Sequence, residues 1–303
     1  MNALARFIMK GRSQAILAIT ALTVLSWLLS LASLLAAAAL ALPTLRRGAR
    51  EGAMLLAAAL PIVALAGQLI MGSALQAAGY SLAMWVPVFL VALVLRQTAN
   101  LSMAVTSAMA LGVLVVLGFY ALVADPVGFW NGLLQQVLAP LLQKGASDPG
   151  QALLIQTAQA FSRYATGAVT AGSVISVLIS LFLARWWQAS LYNPGGFRQE
   201  FLQLRMPAYL AWIFVALVVT ASVAEAGIAT FAINLLMPLL MAFLLGGFAV
   251  AHAVLTQTSS GRFWLAGLYV ALMFLTPIIL LVALVGLTDT WFDWRLRFAR
   301  PST

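Results

Sequence analysis

The sequence predicts an all-α protein: a polytopic transmembrane helix bundle of eight or nine spans, with an amphipathic helical segment at the membrane interface. Three observations predict it. Hydrophobic residues fill 64% of the 303 positions and charged residues 8%, against roughly 45–50% and 25% in soluble domains. The mean hydropathy is +1.04. The apolar residues also fall into runs of about 20 or more, the length that crosses a bilayer. A water-soluble fold needs a largely polar skin. In lipid the demand is instead that backbone polar groups satisfy one another within helices.

The elements follow in order. Residues 13–43 form an apolar run longer than one span needs, either one tilted helix or two short ones broken near Ser30–Ser33. An Arg-rich turn, Arg46-Arg47-Gly48-Ala49-Arg50-Glu51, comes next. Residues 52–95 carry no charge and hold two passes, with Gly79-Tyr80-Ser81 as the expected turn between them. A polar connection at 96–100 leads to a span at 101–123. Residues 125–163 differ: Val127, Trp130, Leu134, Val137, Leu138 and Leu141 recur at helical spacing, with polar residues opposite, including Lys144 and Asp148 further on. That is the pattern of an amphipathic insertion lying on the outer membrane face, with a second short helix at 151–161. Spans at 165–191, 209–223, 227–254 and 263–287 complete the count, giving eight, or nine if the first run is a hairpin. No soluble domain or repeat is visible, so residues 1–303 read as one integral membrane domain, retained by its first span rather than cleaved.

Basic residues set the orientation, because cytoplasmic loops carry the excess of Lys and Arg. Arg46, Arg47, Arg50, Arg96, Arg185, Arg198, Arg205 and Arg262 all reach the cytoplasm if the spans alternate. Arg6, Lys10 and Arg12 join them only if the first run crosses twice, which favours nine spans and sends the tail outside, unless Pro277 breaks the last span. This is the pattern of a multi-pass inner-membrane protein whose basic loops face the cytoplasm. The net charge of +9 then reads as contact with anionic lipid rather than nucleic acid, since no basic run alternates with exposed aromatics.

Composition excludes much chemistry. There is no cysteine and one histidine, His252, so thiolate sites, disulfides and multi-histidine metal sites within the chain are ruled out. No nucleotide-binding, zinc-protease or serine-hydrolase signature occurs. The expectation is a non-enzymatic protein without cofactor or metal, and without an ATPase domain of its own.

A polar group in a span is costly and marks a candidate site. Gln68, Asn234 and His252 are the substrate-cavity candidates. Both amides could instead bridge helices, a common glue worth roughly 0.6–2 kcal/mol, and His252 could be a capping or interface residue. The dense small residues Gly167-Ala168-Val169-Thr170-Ala171-Gly172-Ser173 suit close helix packing, with a pore lining as the alternative. Glu225 could bind a cationic ligand, pair with Arg163 or stay solvated. Arg198, Glu200 and Arg205 follow the helix-stopping Asn193-Pro194-Gly195-Gly196, and with Asp289, Asp293 and Arg295 they form a second candidate set, for docking a partner or for internal ion pairing.

Two stretches are more specific than composition. One is Asn193-Pro194-Gly195-Gly196-Phe197-Arg198-Gln199-Glu200-Phe201, leading to Leu204-Arg205. The other is Gly286-Leu287-Thr288-Asp289-Thr290-Trp291-Phe292-Asp293-Trp294-Arg295. Between them lies Gly246-Gly247-Phe248-Ala249-Val250-Ala251-His252. Together they resemble the YybS-like, or DUF2232, family of bacterial membrane proteins, which is similar in fold to the substrate-binding S-components of energy-coupling-factor vitamin transporters. The resemblance implies a subunit that binds or transports a vitamin-like small molecule and is energised by a separate membrane partner. S-components typically have six spans, fewer than here. The second function class is a membrane scaffold acting through residues 193–205 and the outer amphipathic segment.

Overall fold

The computed structural model describes residues 2–142, 149–258, 260–275 and 277–298, and within these every regular element is a helix. Lys144 and Asp148 of the amphipathic segment lie outside the described residues.

The chain opens with a short helix, α1 (Asn2–Lys10), which the sequence reading does not anticipate. Its Ala5 and Ile8 are fully buried. Gly11 separates it from α2 (Arg12–Ser26), and the chain then turns at 27–30 into α3 (Leu31–Arg47). The first apolar run is therefore two helices. They form a hairpin, because the end of α3 returns to the start of α2: Arg47 donates to Met9 O at 2.8 Å, and Glu51 accepts from both Arg12 and Arg47. The alanines 36–39 of α3 are buried throughout. Their small side chains let α2, α4, α5 and α9 pack closely around the helix, so α3 forms the axis of the bundle.

After Gly48, α4 (Ala49–Met71) and α5 (Ala74–Thr98) make a long hairpin. Its turn is at Gly72-Ser73, not at Gly79–Ser81, which lie inside α5. The capping chemistry explains the difference. Gly72 takes a left-handed conformation at φ 75°, which glycine adopts without a Cβ penalty. The Ser73 hydroxyl then accepts from Gln76 N at 3.3 Å, as an N-cap does. Asn100 caps α6 (Leu101–Leu122) in the same way, accepting from Met103 N at 3.2 Å.

The amphipathic region forms α7 (Pro126–Leu142) and α8 (Pro149–Ser162). Trp130 ties α7 to the bundle through its indole N–H, donated to Thr166 Oγ1 at 2.9 Å. The chain then re-enters as α9 (Ala165–Tyr192), turns at Asn193–Gly195 into α10 (Gly196–Leu202), and continues through α11 (Ala208–Val223) and α12 (Ala226–Leu255). Five helices, α4, α5, α6, α9 and α12, are long and apolar enough to cross a membrane alone. Alongside them, α2, α11 and two further helices, Gly261–Phe274 and Pro277–Phe292, are shorter apolar helices.

The last apolar run is broken. Helix α13 (Gly261–Phe274) ends before Pro277, and α14 (Pro277–Phe292) turns back, followed by the short α15 (Trp294–Arg297). Proline has no N–H to continue a helix and restricts the residue before it. Gly261 starts α13 against Leu255 O, at the end of α12, and Trp264 of α13 shares one groove end with Leu255, Trp294 and Phe298. Both ends of the α13–α14 hairpin thus lie on one side, and α15 sits at the end of the bundle where α12 finishes.

That side is the basic face. Among the described residues, every Arg and Lys except Arg163 belongs to it: those of the α1–α2 and α3–α4 turns, Arg96, Arg185 near the end of α9, Arg198, Arg205, Arg262, Arg295 and Arg297. Arg96 donates to Leu45 O at 2.6 Å, and the Arg46 guanidinium lies 4.4 Å over the Tyr192 ring, joining three helix ends on one surface.

Candidate functional site

Four of the six docking candidates converge. Arg205 donates from Nη1 to Asp293 Oδ2 at 2.7 Å and from Nη2 to Thr290 O at 3.3 Å. Arg295 donates from Nη2 to Leu204 O at 2.5 Å and lies 3.4 Å from the buried Asp289 carboxylate. Asp289 Oδ1 in turn accepts from Trp294 N at 3.0 Å. The loop before α11 and the tail after α14 therefore hold each other through two cations and two carboxylates. Asp293 also caps α15, with a left-handed backbone at φ 47°, a conformation in which Asp is enriched among non-glycine residues. Burial pushes the Arg295 guanidinium below its ordinary range, and Asp289 and Asp293 act in the opposite direction. The backbone N–H of Arg205 donates to Ser102 Oγ at 3.2 Å, fixing this clamp to the start of α6.

Glu200 belongs elsewhere. It forms a two-pronged ion pair with Arg185 of α9, which includes an Nε to Oε2 bond of 2.8 Å. Arg198 is exposed on α10, and among the described residues no ion pair or hydrogen bond engages its side chain.

The three cavity candidates lie far apart. Gln68 is exposed near the outer end of α4, where its Oε1 accepts from Ala74 N at 3.1 Å and helps close the α4–α5 turn. Asn234 is fully buried near the outer end of α12. Its Oδ1 accepts from Gly167 N at 2.6 Å, and its Nδ2 faces Tyr120 Oη, Arg163 O and Thr230 O at 3.1, 2.9 and 2.8 Å. It bridges α6, α9 and α12 with both its amide oxygen and its amide nitrogen engaged. His252 lies near the basic end of α12, with Nδ1 2.9 Å from Phe248 O, Nε2 3.3 Å from Tyr269 Oη, and its ring edge-on to Phe201. Glu225 and Arg163 do not pair.

One space a small molecule could occupy is a cleft of about 860 Å³ between α5, α6 and α9, within the roughly 300–1,000 Å³ usual for ligand sites. The small-residue segment of α9 divides here. Gly167 faces α12, where a Cβ would lie 2.7 Å from Asn234 Cα, while Gly172 faces open space. Packing and cavity lining are thus both present, on different sides of one helix. The hydroxyls of Ser33, Ser173 and Ser176 line the cleft. Each donates to a carbonyl of its own helical segment, at 2.6, 2.9 and 2.7 Å, which leaves lone pairs free to accept from a ligand. Tyr80 adds a phenol, and the rim residues Val115 and Val169 are 59% and 49% exposed, so the cleft opens on the side wall of the bundle. Sequence reasoning missed Ser33 and Tyr80, although a phenol and a serine amid apolar residues were the available signal. Among the described residues no group of His, Asp and Glu has the arrangement of a metal site.

A family model described as "Predicted membrane protein (DUF2232)" matches residues 14–290. No curated protein and no solved structure matches the chain.

Proposed function

The chain belongs to the DUF2232 family of predicted membrane proteins, and from that premise we propose that it is a non-enzymatic membrane subunit that binds and helps move an amphipathic small molecule of vitamin-like size. The cleft between α5, α6 and α9 is the binding site in this reading. The observation that carries it is the pairing of a bare glycine, Gly172, with hydroxyl acceptors on one open face. A ligand with an apolar body and a few N–H or O–H donors matches such a lining. The spans lack a chain of buried carboxylates, so proton or ion coupling through a relay is not the reading. Energy comes instead from a separate partner at the basic face, which we assign to the cytoplasmic side of a bacterial inner membrane.

Native mass spectrometry of the gently solubilised protein tests this. The expected result is a small-molecule adduct on the wild type that Gly172→Leu removes while thermal unfolding stays within about 0.5 kcal/mol, as for an unconstrained surface change. Identical adduct spectra for the two proteins would overturn it.

A scaffold role is the second reading. The exposed Arg198, with no ion pair, favours it, as do the apolar side chains that α7 and α8 expose, Val137 and Leu153 among them. Arg198→Glu then releases a co-purifying complex, whereas the transport reading keeps the small-molecule adduct in that variant.

A further inference from the structure

A second hollow, separate from the cleft, lies between α12, α13 and α14. It measures about 890 Å³ and is lined almost wholly by apolar side chains. Its one hydroxyl, on Thr288, is already committed: it donates to Leu284 O at 2.8 Å and accepts from Trp294 Nε1 at 3.0 Å. Apart from the exposed Trp264 indole N–H at the open end and one remaining Thr288 lone pair, the described lining offers no free side-chain donor or acceptor, which disfavours a polar ligand along its length. Gly267 leaves one wall open, for a Cβ there meets nothing within 4 Å.

The two ends differ. The inner end leads toward the break at Leu275, between α13 and α14, and is apolar. The other end lies at the basic face, where Trp264, Trp294 and Phe298 gather. Trp294 stacks on Phe298 with centroids 5.9 Å apart, and the Arg297 guanidinium lies 5.9 Å from the centroid of the Trp294 ring. Arg297 spends only its Nε, on Phe292 O at 2.8 Å. Among the described residues its terminal nitrogens have no hydrogen-bond partner, and they keep the fork geometry that suits phosphate.

From this polarity we propose that the groove seats an anionic membrane phospholipid, with acyl chain along α12–α14 and phosphate against Arg297. Charge complementarity selects the occupant. Aromatic rings at headgroup depth with a cation beside them match a lipid's interface, and the dry walls match its tail. The hydrogen-bond-accepting cleft that carries the transport reading shares none of these residues, so the two proposals stand or fall separately.

The test is native mass spectrometry of the full chain released from nanodiscs containing equal parts phosphatidylglycerol and phosphatidylcholine. Wild type is expected to retain phosphatidylglycerol preferentially. Arg297→Gln is expected to lower that retention about fivefold, the effect of one cation at an anionic lipid surface, without changing phosphatidylcholine retention. Gly267→Trp, which fills the groove, is expected to lower retention of both lipids, and Val285→Phe, on the opposite wall, reads the same loss if the tryptophan variant does not fold. Gly172→Leu leaves lipid retention unchanged. Equal retention of the two lipids by the wild type, or an undiminished preference in Arg297→Gln, would overturn the proposal.

Discussion

Arg205 and Asp293 stand 88 residues apart in the chain and 2.7 Å apart in the fold. The pair joins the loop that enters α11 to the cap of the last helix, so it reports whether the α13–α14 hairpin is docked. Both side chains are about one third exposed, which moderates the strength of the pair. Arg205→Ala is expected to cost about 1–3 kcal/mol, the range for losing a charge-assisted hydrogen bond, and to raise hydrogen exchange across residues 289–298 more than in the rest of the chain. The exchange-reversed pair Arg205→Asp with Asp293→Arg should recover part of the loss, giving a coupling of about 0.5–3 kcal/mol in a double-mutant cycle. A strictly additive cycle would show that the two residues do not act together.

Asn234 makes a different kind of prediction. Its removal leaves the Gly167 N–H without its partner inside a closely packed contact. Asn234→Leu should destabilise the protein by about 1–3 kcal/mol, read as a lower midpoint of thermal unfolding in detergent. A variant as stable as the wild type would mean that relaxed backbone or water replaces the bridge.

Glycine variants on α13 and α14 should diverge sharply. A Cβ at Gly286 would lie 2.0 Å from Phe243 O and 2.5 Å from Gly247 N, both backbone atoms that cannot swing aside. Gly286→Ala should therefore force α14 off α12, at about 1–3 kcal/mol or more. Gly267→Ala meets open space and should be tolerated, within about 0.5 kcal/mol. Comparing the two unfolding midpoints in one detergent checks the contact without reference to any ligand.

Glu51 is buried and is shared by Arg12 and Arg47, at 2.9 and 3.1 Å. Glu51→Gln would leave two cations facing each other with a single amide between them. The expected result is increased protease access at the Gly11 and Gly48 turns while α5 to α9 stay protected. Uniform protection along the chain would place the anchor of the first hairpin elsewhere.

Much of the fold was legible because apolar runs and polar breaks suffice to place spanning helices. The errors arise where chemistry outweighs texture. Gly79-Tyr80-Ser81 looked like a turn, yet a helix in lipid tolerates all three, and the chain turned where Gly72, Ser73 and the Gln68 side chain supply caps. Arg205, Asp289, Asp293 and Arg295 were recognisable as one set, but which of them pair was not, because Arg205 is distant in sequence and only folding brings it to Asp293. The α9 segment was recognisable as small. Which of its glycines meets a helix and which meets space depends on rotation within the bundle: Gly167 and Gly172 are five residues apart and lie on different faces.

The shape of the C-terminal hairpin also bears on how the protein is assembled. A charged side chain drawn to the bilayer centre costs about 2.5–3.5 kcal/mol, so a tail bearing Arg295 and Arg297 would resist being threaded through. Since α13 leaves and α14 returns on the same side, neither residue has to make that journey. With α12 in place, the hairpin can slide in beside it and latch at Arg205.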